Sequence, residues 1–174
     1  MTTQFLTKCR YPLHLLSIFS FVMTGLLLPL AAMPANAQAA GEVIFAVTSA
    51  NRLLRFQSAN PTSLTDAQLI TGLQPNEQLL GIDFRPANGQ LYALGSSNHL
   101  YTLNLQTGSA TLVAGQPFTQ TLNGDHFGFD FNPVPDRIRV VSDSGQNLRL
   151  HPMTGAVAGI DATLVYTDSD INEG

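Results

Sequence analysis

Tryptophan is absent from the chain, and lysine and cysteine occur once each, as Lys8 and Cys9, both near the N-terminus. One thiol closes no internal disulfide, so neither a disulfide framework nor a resolving-cysteine pair is available. Charged residues make up only 11% of the sequence, and their balance is acidic, with a net charge of -4. Nucleic-acid phosphates and anionic lipid are held by clustered cations, so neither is an expected partner. Gly-x-Ser-x-Gly, Walker-type and Gly-x-Gly-x-x-Gly motifs are missing as well, which removes the nucleophile elbow and the phosphate-cradling loops.

What the first forty residues do contain is an export pattern. Lys8 and Arg10 precede an apolar run over residues 13–30, and small residues follow, ending Ala35-Asn-Ala37. This is the three-part organisation of a cleavable signal over residues 1–37. The run approaches the minimum length of a membrane span, but Pro29 and the Ala-x-Ala site favour cleavage over a retained anchor. The expected location is secreted or periplasmic, with no stable membrane span after cleavage. Cys9 and Lys8 leave with the signal, and the domain over 38–174 then carries six arginines against twelve carboxylates. Without cysteine such a domain depends on its apolar core alone.

Gly81-Ile-Asp-Phe-Arg-Pro86 recurs as Gly128-Phe-Asp-Phe-Asn-Pro133, a shift of 47 residues. The register continues ungapped: Ser97 falls on Ser144, Leu103 on Leu150, and Thr107-Gly108 on Thr154-Gly155. Shifting back by 47 places Ala46 on Ala93, Asn51 on Asn98 and Leu53 on Leu100. Three copies result, over about 42–80, 81–127 and 128–174. Within the middle copy, period-two alternation predicts strands over 81–85, 91–96, about 99–105 and 110–114, separated by Gly- and Asn-containing turns. The Asn88-Gly89 pair is expected to supply the positive φ angles of a tight hairpin. Helical periodicity is lacking after the signal.

Four antiparallel strands per 47 residues predict an all-β fold, a β-propeller-like array of four-stranded blades. The first strand of copy one would fall across the cleavage site. The strand tally is therefore three, four and four, too few to close a ring, so the domain reads as truncated at its C-terminus. Otherwise copies would self-associate through open blade edges.

Each candidate for chemistry has a structural rival. Asp83 and Asp130 share one repeat position and one blade face. They could line a channel as cation ligands, or could accept hydrogen bonds from backbone amides. Asp168, Asp170 and Asn172 place oxygen ligands at alternate positions, a partial calcium-loop pattern whose glycine is one residue late; a solvated turn is the competing reading. No other cofactor is expected. Arg137, Arg139 and Arg149 alternate so as to project from a single sheet face, where they could receive a carboxylate, a sugar acid or a phosphate. Asp136, Asp143 and Asp161 are near enough in sequence to neutralise them as surface ion pairs. His99, His126 and His151 lack metal-ligand spacing and are expected to be exposed.

The segments Leu80-Gly-Ile-Asp-Phe-Arg-Pro86, Asp136-Arg-Ile-Arg-Val-Val-Ser-Asp143 and Gly145-Gln-Asn-Leu-Arg-Leu150 resemble the bacterial domain-of-unknown-function family numbered 4394. The resemblance covers nearly all of the chain after the signal and implies an exported protein whose domain runs past residue 174. It implies no activity, substrate or catalytic residue. The leading expectation is a non-catalytic binding or interaction module for an extracellular or envelope ligand. A propeller enzyme using Asp83 and Asp130, lactonase-like or glycan-acting, is the second reading, and a structural envelope or matrix protein is the third.

Overall fold

The computed structural model describes residues 41–165. The export-signal region and the Asp168-Asn172 stretch lie outside the described residues. Within them the regular structure is β throughout, and three antiparallel sheets follow one another along the chain. Strands β1 (Val43–Val47), β2 (Arg52–Gln57) and β3 (Asn60–Leu69) form the first sheet. The second contains β4 (Leu79–Phe84), β5 (Leu91–Gly95), β6 (Leu100–Leu103) and β7 (Ala110–Leu112). The third contains β8 (Phe127–Asn132), β9 (Arg137–Ser142), β10 (Asn147–Leu150) and β11 (Val157–Ile160). Each sheet pairs its strands in chain order, and the three-four-four grouping is the one the repeat implies.

Period-two alternation sorts each strand's residues between two faces, and the repeat makes corresponding faces comparable. Leu91, Ala93, Tyr101 and Leu103 on one face of the middle sheet pack with Leu53, Phe45 and Val47 of the first sheet. Tyr92, Leu94 and Leu100 on the opposite face pack with Phe131, Ile138, Val140, Leu148 and Leu150 of the third. The sheets therefore stack front to back, and every residue of β5 is buried. The ring of Tyr92 meets that of Phe131 edge-on, with centroids 5.2 Å apart. Gly81 permits the close approach of β4 to β8, since a Cβ there would lie 2.7 Å from that of Phe129.

The turns repeat with the strands. Asn51, Asn98 and Gly145, spaced by 47, all adopt positive φ between the second and third strands of their copies. Their carbonyls accept the amides of Ile70, Phe118 and Leu164, where the chain returns from the outer strand of its own sheet. The side chains extend this clamp in two copies: Asn51 Oδ1 accepts from Leu79 N at 3.0 Å, and Asn98 Oδ1 from Leu122 N at 2.9 Å. Asparagine suits the position because it tolerates left-handed backbone and offers an amide to cap the returning segment. The hairpin after β4 departs from expectation. Only Gly89 takes positive φ, and the loop over 86–89 is closed between Arg85 and Gln90 as a four-residue turn.

Replacing Asn98 separates these two contributions. Asn98→Gly keeps the backbone and loses one hydrogen bond, a cost of about 1 kcal/mol. Asn98→Ala adds left-handed strain, for a total of about 2–3 kcal/mol. Urea midpoints at unchanged slope would show the difference, and equal losses would remove the backbone argument.

Candidate functional site

The third sheet turns its second face away from the middle one, and there the repeat changes character. Positions filled by Tyr92, Leu94, Leu100 and Thr102 in copy two hold Arg139, Val141, Asn147 and Arg149 in copy three. Pairing register sets Asp130, Arg139, Arg149 and Gly159 in one row across β8 to β11. Arg137 stands opposite Asn132 in an adjacent row. The expectation that Arg137, Arg139 and Arg149 share a face thus agrees with the strand pairing.

Asp161, just beyond β11, is held between two of them. Arg149 donates to both of its oxygens, from Nε at 2.9 Å and from Nη2 at 2.8 Å. Arg139 Nη1 donates to the same carboxylate and, at 2.6 Å, to Asn147 Oδ1. Gly159 makes room for this arrangement, because a Cβ there would lie 2.5 Å from Arg149 Nη2. Arg137 instead donates to the carbonyls of Pro135 and Asp136, at 3.1 and 2.9 Å. Together these side chains border a depression of about 330 Å³, with three guanidiniums and one carboxylate in its wall. The hydrogen bonds from Arg149 and Arg139 hold the Asp161 carboxyl below its ordinary range. It stays ionised near neutral pH and offsets only part of the positive charge. The paired arginine side chains are 38% and 42% exposed, so water screens the pairs and their rearrangement around a ligand costs little.

The other acidic neighbours do different work. Asp136 pairs with Arg85 across the two sheets, through Nε at 2.9 Å and Nη2 at 2.5 Å, and Arg85 holds its carboxyl low. Asp143 accepts from the amide of Asp125.

Asp83 joins the middle and third sheets. One oxygen accepts from its neighbour Phe84 N at 2.8 Å, and the other reaches Phe131 N on β8 at 2.7 Å. It does accept backbone amides, but one belongs to the next sheet and not to its own turn. Asp130, its repeat counterpart, is exposed on the far face of β8. Among the described residues no three acidic, histidine or cysteine side chains converge as a metal site.

Sequence reasoning missed one buried cluster. Glu77, which is 4% exposed, accepts from Ser97 N and Ser97 Oγ, both at 2.6 Å, and from Tyr101 OH at 2.9 Å. His99 Nδ1 lies 3.2 Å from the same carboxylate, so this histidine is packed and paired where exposure was expected. Serine, histidine and carboxylate are together here, but not as a nucleophile relay. Ser97 Oγ lies 3.0 Å from His99 Nδ1, but its proton goes to Glu77 Oε2 at 2.6 Å, since a carboxylate can only accept, so the hydroxyl is held by the carboxylate and not by the imidazole. Burial raises the Glu77 pKa, but hydrogen bonds from Ser97 and Tyr101, with the charge of His99, outweigh it and leave the carboxyl below its ordinary value. A lowered carboxyl is a poor base. The cluster ties the linker before β4 to the β5–β6 turn, and its one local trace is Gly95, where a Cβ would strike the Glu77 carboxylate.

Among the described residues the fold is a repeat of stacked antiparallel sheets, and the outer face of the third carries Arg137, Arg139 and Arg149 together with Asp130 and Asp161. The chain belongs to the family described as a domain of unknown function, DUF4394, whose model matches residues 52–174 and so includes every residue of that face. No curated protein matches it.

The two carboxylate environments lead to separate outcomes. Glu77→Gln turns an amide donor toward buried donors and should cost about 3 kcal/mol. Since the folded carboxyl titrates below 4.5, its contribution is complete above that pH and is lost as pH falls through the folded value. The variant's acid unfolding curve should therefore be flatter than the parent's. Burial pushes the Tyr101 hydroxyl up to about 12, so its contribution holds below pH 10 and disappears as pH rises through 12. Asp83→Asn, losing one acceptor, should cost about 1–2 kcal/mol, whereas Asp130→Asn should stay within about 0.5 kcal/mol. Equal losses at the two sites would contradict the difference in their surroundings.

Proposed function

We propose that this protein is an exported, non-catalytic binding module that takes an anionic ligand, a carboxylate of a sugar acid or a similar group, on the face formed by Arg137, Arg139 and Arg149. The observation that carries this reading is the replacement of repeat positions Tyr92, Leu100 and Thr102 by Arg139, Asn147 and Arg149. Where Tyr92 and Leu100 pack into the core of the middle copy, the third copy supplies Arg139 and Asn147, and Arg149 stands where the middle copy has Thr102; departures of this kind from a fold's internal rule mark functional surfaces. Arginine forks match planar carboxylates, and Asp161 preorients two of them. Asp83 has both oxygens engaged by amides, which favours binding over acid–base chemistry at that repeat position.

The scaffold is read as successive blades of a propeller-like array. Its support is the front-to-back stacking, with the first strand β4 of the middle sheet lying against β8 and, less extensively, against β1. Export rests on the pattern over residues 1–37.

Calorimetric titration with a short oligogalacturonate and a neutral oligosaccharide of equal length tests the ligand class. The acidic ligand should bind and the neutral one should not. Arg149→Gln or Arg139→Gln should each weaken binding about tenfold or more, and added salt should weaken it further. Equal binding of both sugars, or full affinity in the two variants, would overturn the reading.

A further inference from the structure

We infer that the arginine site of the third sheet has a neutral counterpart on the middle sheet, and that the ligand is an oligosaccharide in which uronate units are joined to uncharged ones. The inference rests on the reading of Arg137, Arg139 and Arg149 as a carboxylate site and names what extends beyond it. A depression of about 380 Å³ opens where β5 begins and β6 ends, with Gln90, Thr102, Asn104, Gln106, Ser109 and Thr111 in its wall. A shift of 47 carries Gln90, Leu91 and Thr102 of its border onto Arg137, Ile138 and Arg149, which border the arginine depression. Both therefore open at the same end of their sheets, where the second strand starts and the third finishes.

Charge separates the two. No acidic or basic side chain borders the middle depression. Thr102 stands where the first copy has Arg55 and the third Arg149, so of the three copies the middle one is uncharged at that position. What the wall offers is hydrogen bonding. Gln90 Nε2 donates to Leu103 O at 2.9 Å, which fixes this half-buried amide and leaves Oε1 to accept. Asn104 Oδ1 accepts the amides of Gln106 and Thr107, at 2.9 and 3.1 Å, which leaves Nδ2 to donate. Among the described residues Gln106, Ser109 and Thr111 are engaged through their backbones only.

Donors and acceptors side by side without charge match the hydroxyls of a neutral sugar. A carboxylate there would lose water and find no cation to offset the loss. Alone, such a wall exchanges hydrogen bonds to water for hydrogen bonds to ligand and gains little. Successive stacked sheets lie about 10 Å apart, so an oligosaccharide anchored by its carboxylate on Arg139 and Arg149 brings its uncharged units within reach of the middle sheet. Tethering raises their local concentration, and weak contacts then add to affinity.

Calorimetric titration of the protein with a hyaluronan oligosaccharide, which alternates glucuronate with N-acetylglucosamine, and with an oligogalacturonate of equal length tests the inference. The mixed oligomer should bind about tenfold more tightly. Gln106→Ala and Thr111→Val, both at exposed positions, should each weaken the mixed oligomer about threefold to fivefold and leave oligogalacturonate binding unchanged. Thr102→Arg, which installs the residue of the flanking copies, should tighten oligogalacturonate binding and abolish the preference. Equal or tighter binding of oligogalacturonate by the parent protein, a mixed-oligomer affinity indifferent to both Gln106→Ala and Thr111→Val, or a preference untouched by Thr102→Arg would each overturn the neutral subsite and leave the arginine face standing. Binding of neither oligomer would overturn both.

Discussion

Leu91, Ala93, Tyr101 and Leu103 point from the middle sheet into the first, while Tyr92, Leu94 and Leu100 point into the third, so the central strands of the β4–β7 sheet have no solvent face. Each large apolar side chain buried this way contributes about 1.5–3 kcal/mol. In a chain whose only thiol is Cys9, this double burial substitutes for covalent bracing. The remaining features serve it. Gly81 lets β4 approach β8, Asp83 bonds the two sheets through the Phe131 amide, and Arg85 and Asp136 pair across the same junction. Asn51 and Asn98 clamp the segments that carry the chain from one sheet to the next.

Much of this order was legible because a repeat states the same local instruction several times. The Gly-x-Asp-Phe copies and the alternation around Leu91 and Leu100 identify strands, and a shift of 47 divides them into groups of three, four and four. Face assignment also follows from alternation, which is why Arg137, Arg139 and Arg149 could be placed together from spacing. Contacts between distant segments leave weaker traces. The partner of Asp83 lies 48 residues away, and alternation says which way the carboxylate points but not which amide it meets. Glu77 has no periodic context, since it sits in a linker, and its burial depends on a turn 20 residues further on. His99 looked like an exposed turn residue for the same reason.

Polar groups in this molecule divide by their surroundings. Glu77 is buried and fully engaged, with Ser97, Tyr101 and His99 satisfying it, so it acts on the fold. Asp161 is surrounded by donors on an open face, where water weakens each pair and two guanidiniums share one carboxylate. An incoming anion can compete in the second setting and not in the first. The same distinction separates Asp83 from Asp130, identical in repeat position and different in what covers them.

Nitrogen-detected NMR of the arginine side chains during titration with an oligogalacturonate would test the account most directly, because it resolves each guanidinium. The Nε–H signals of Arg137, Arg139 and Arg149 should shift and saturate together, with those of Arg52, Arg55 and Arg85 unmoved. Uniform small shifts at all six, or none at the three on the β8–β11 face, would contradict the assignment of that face as the binding surface.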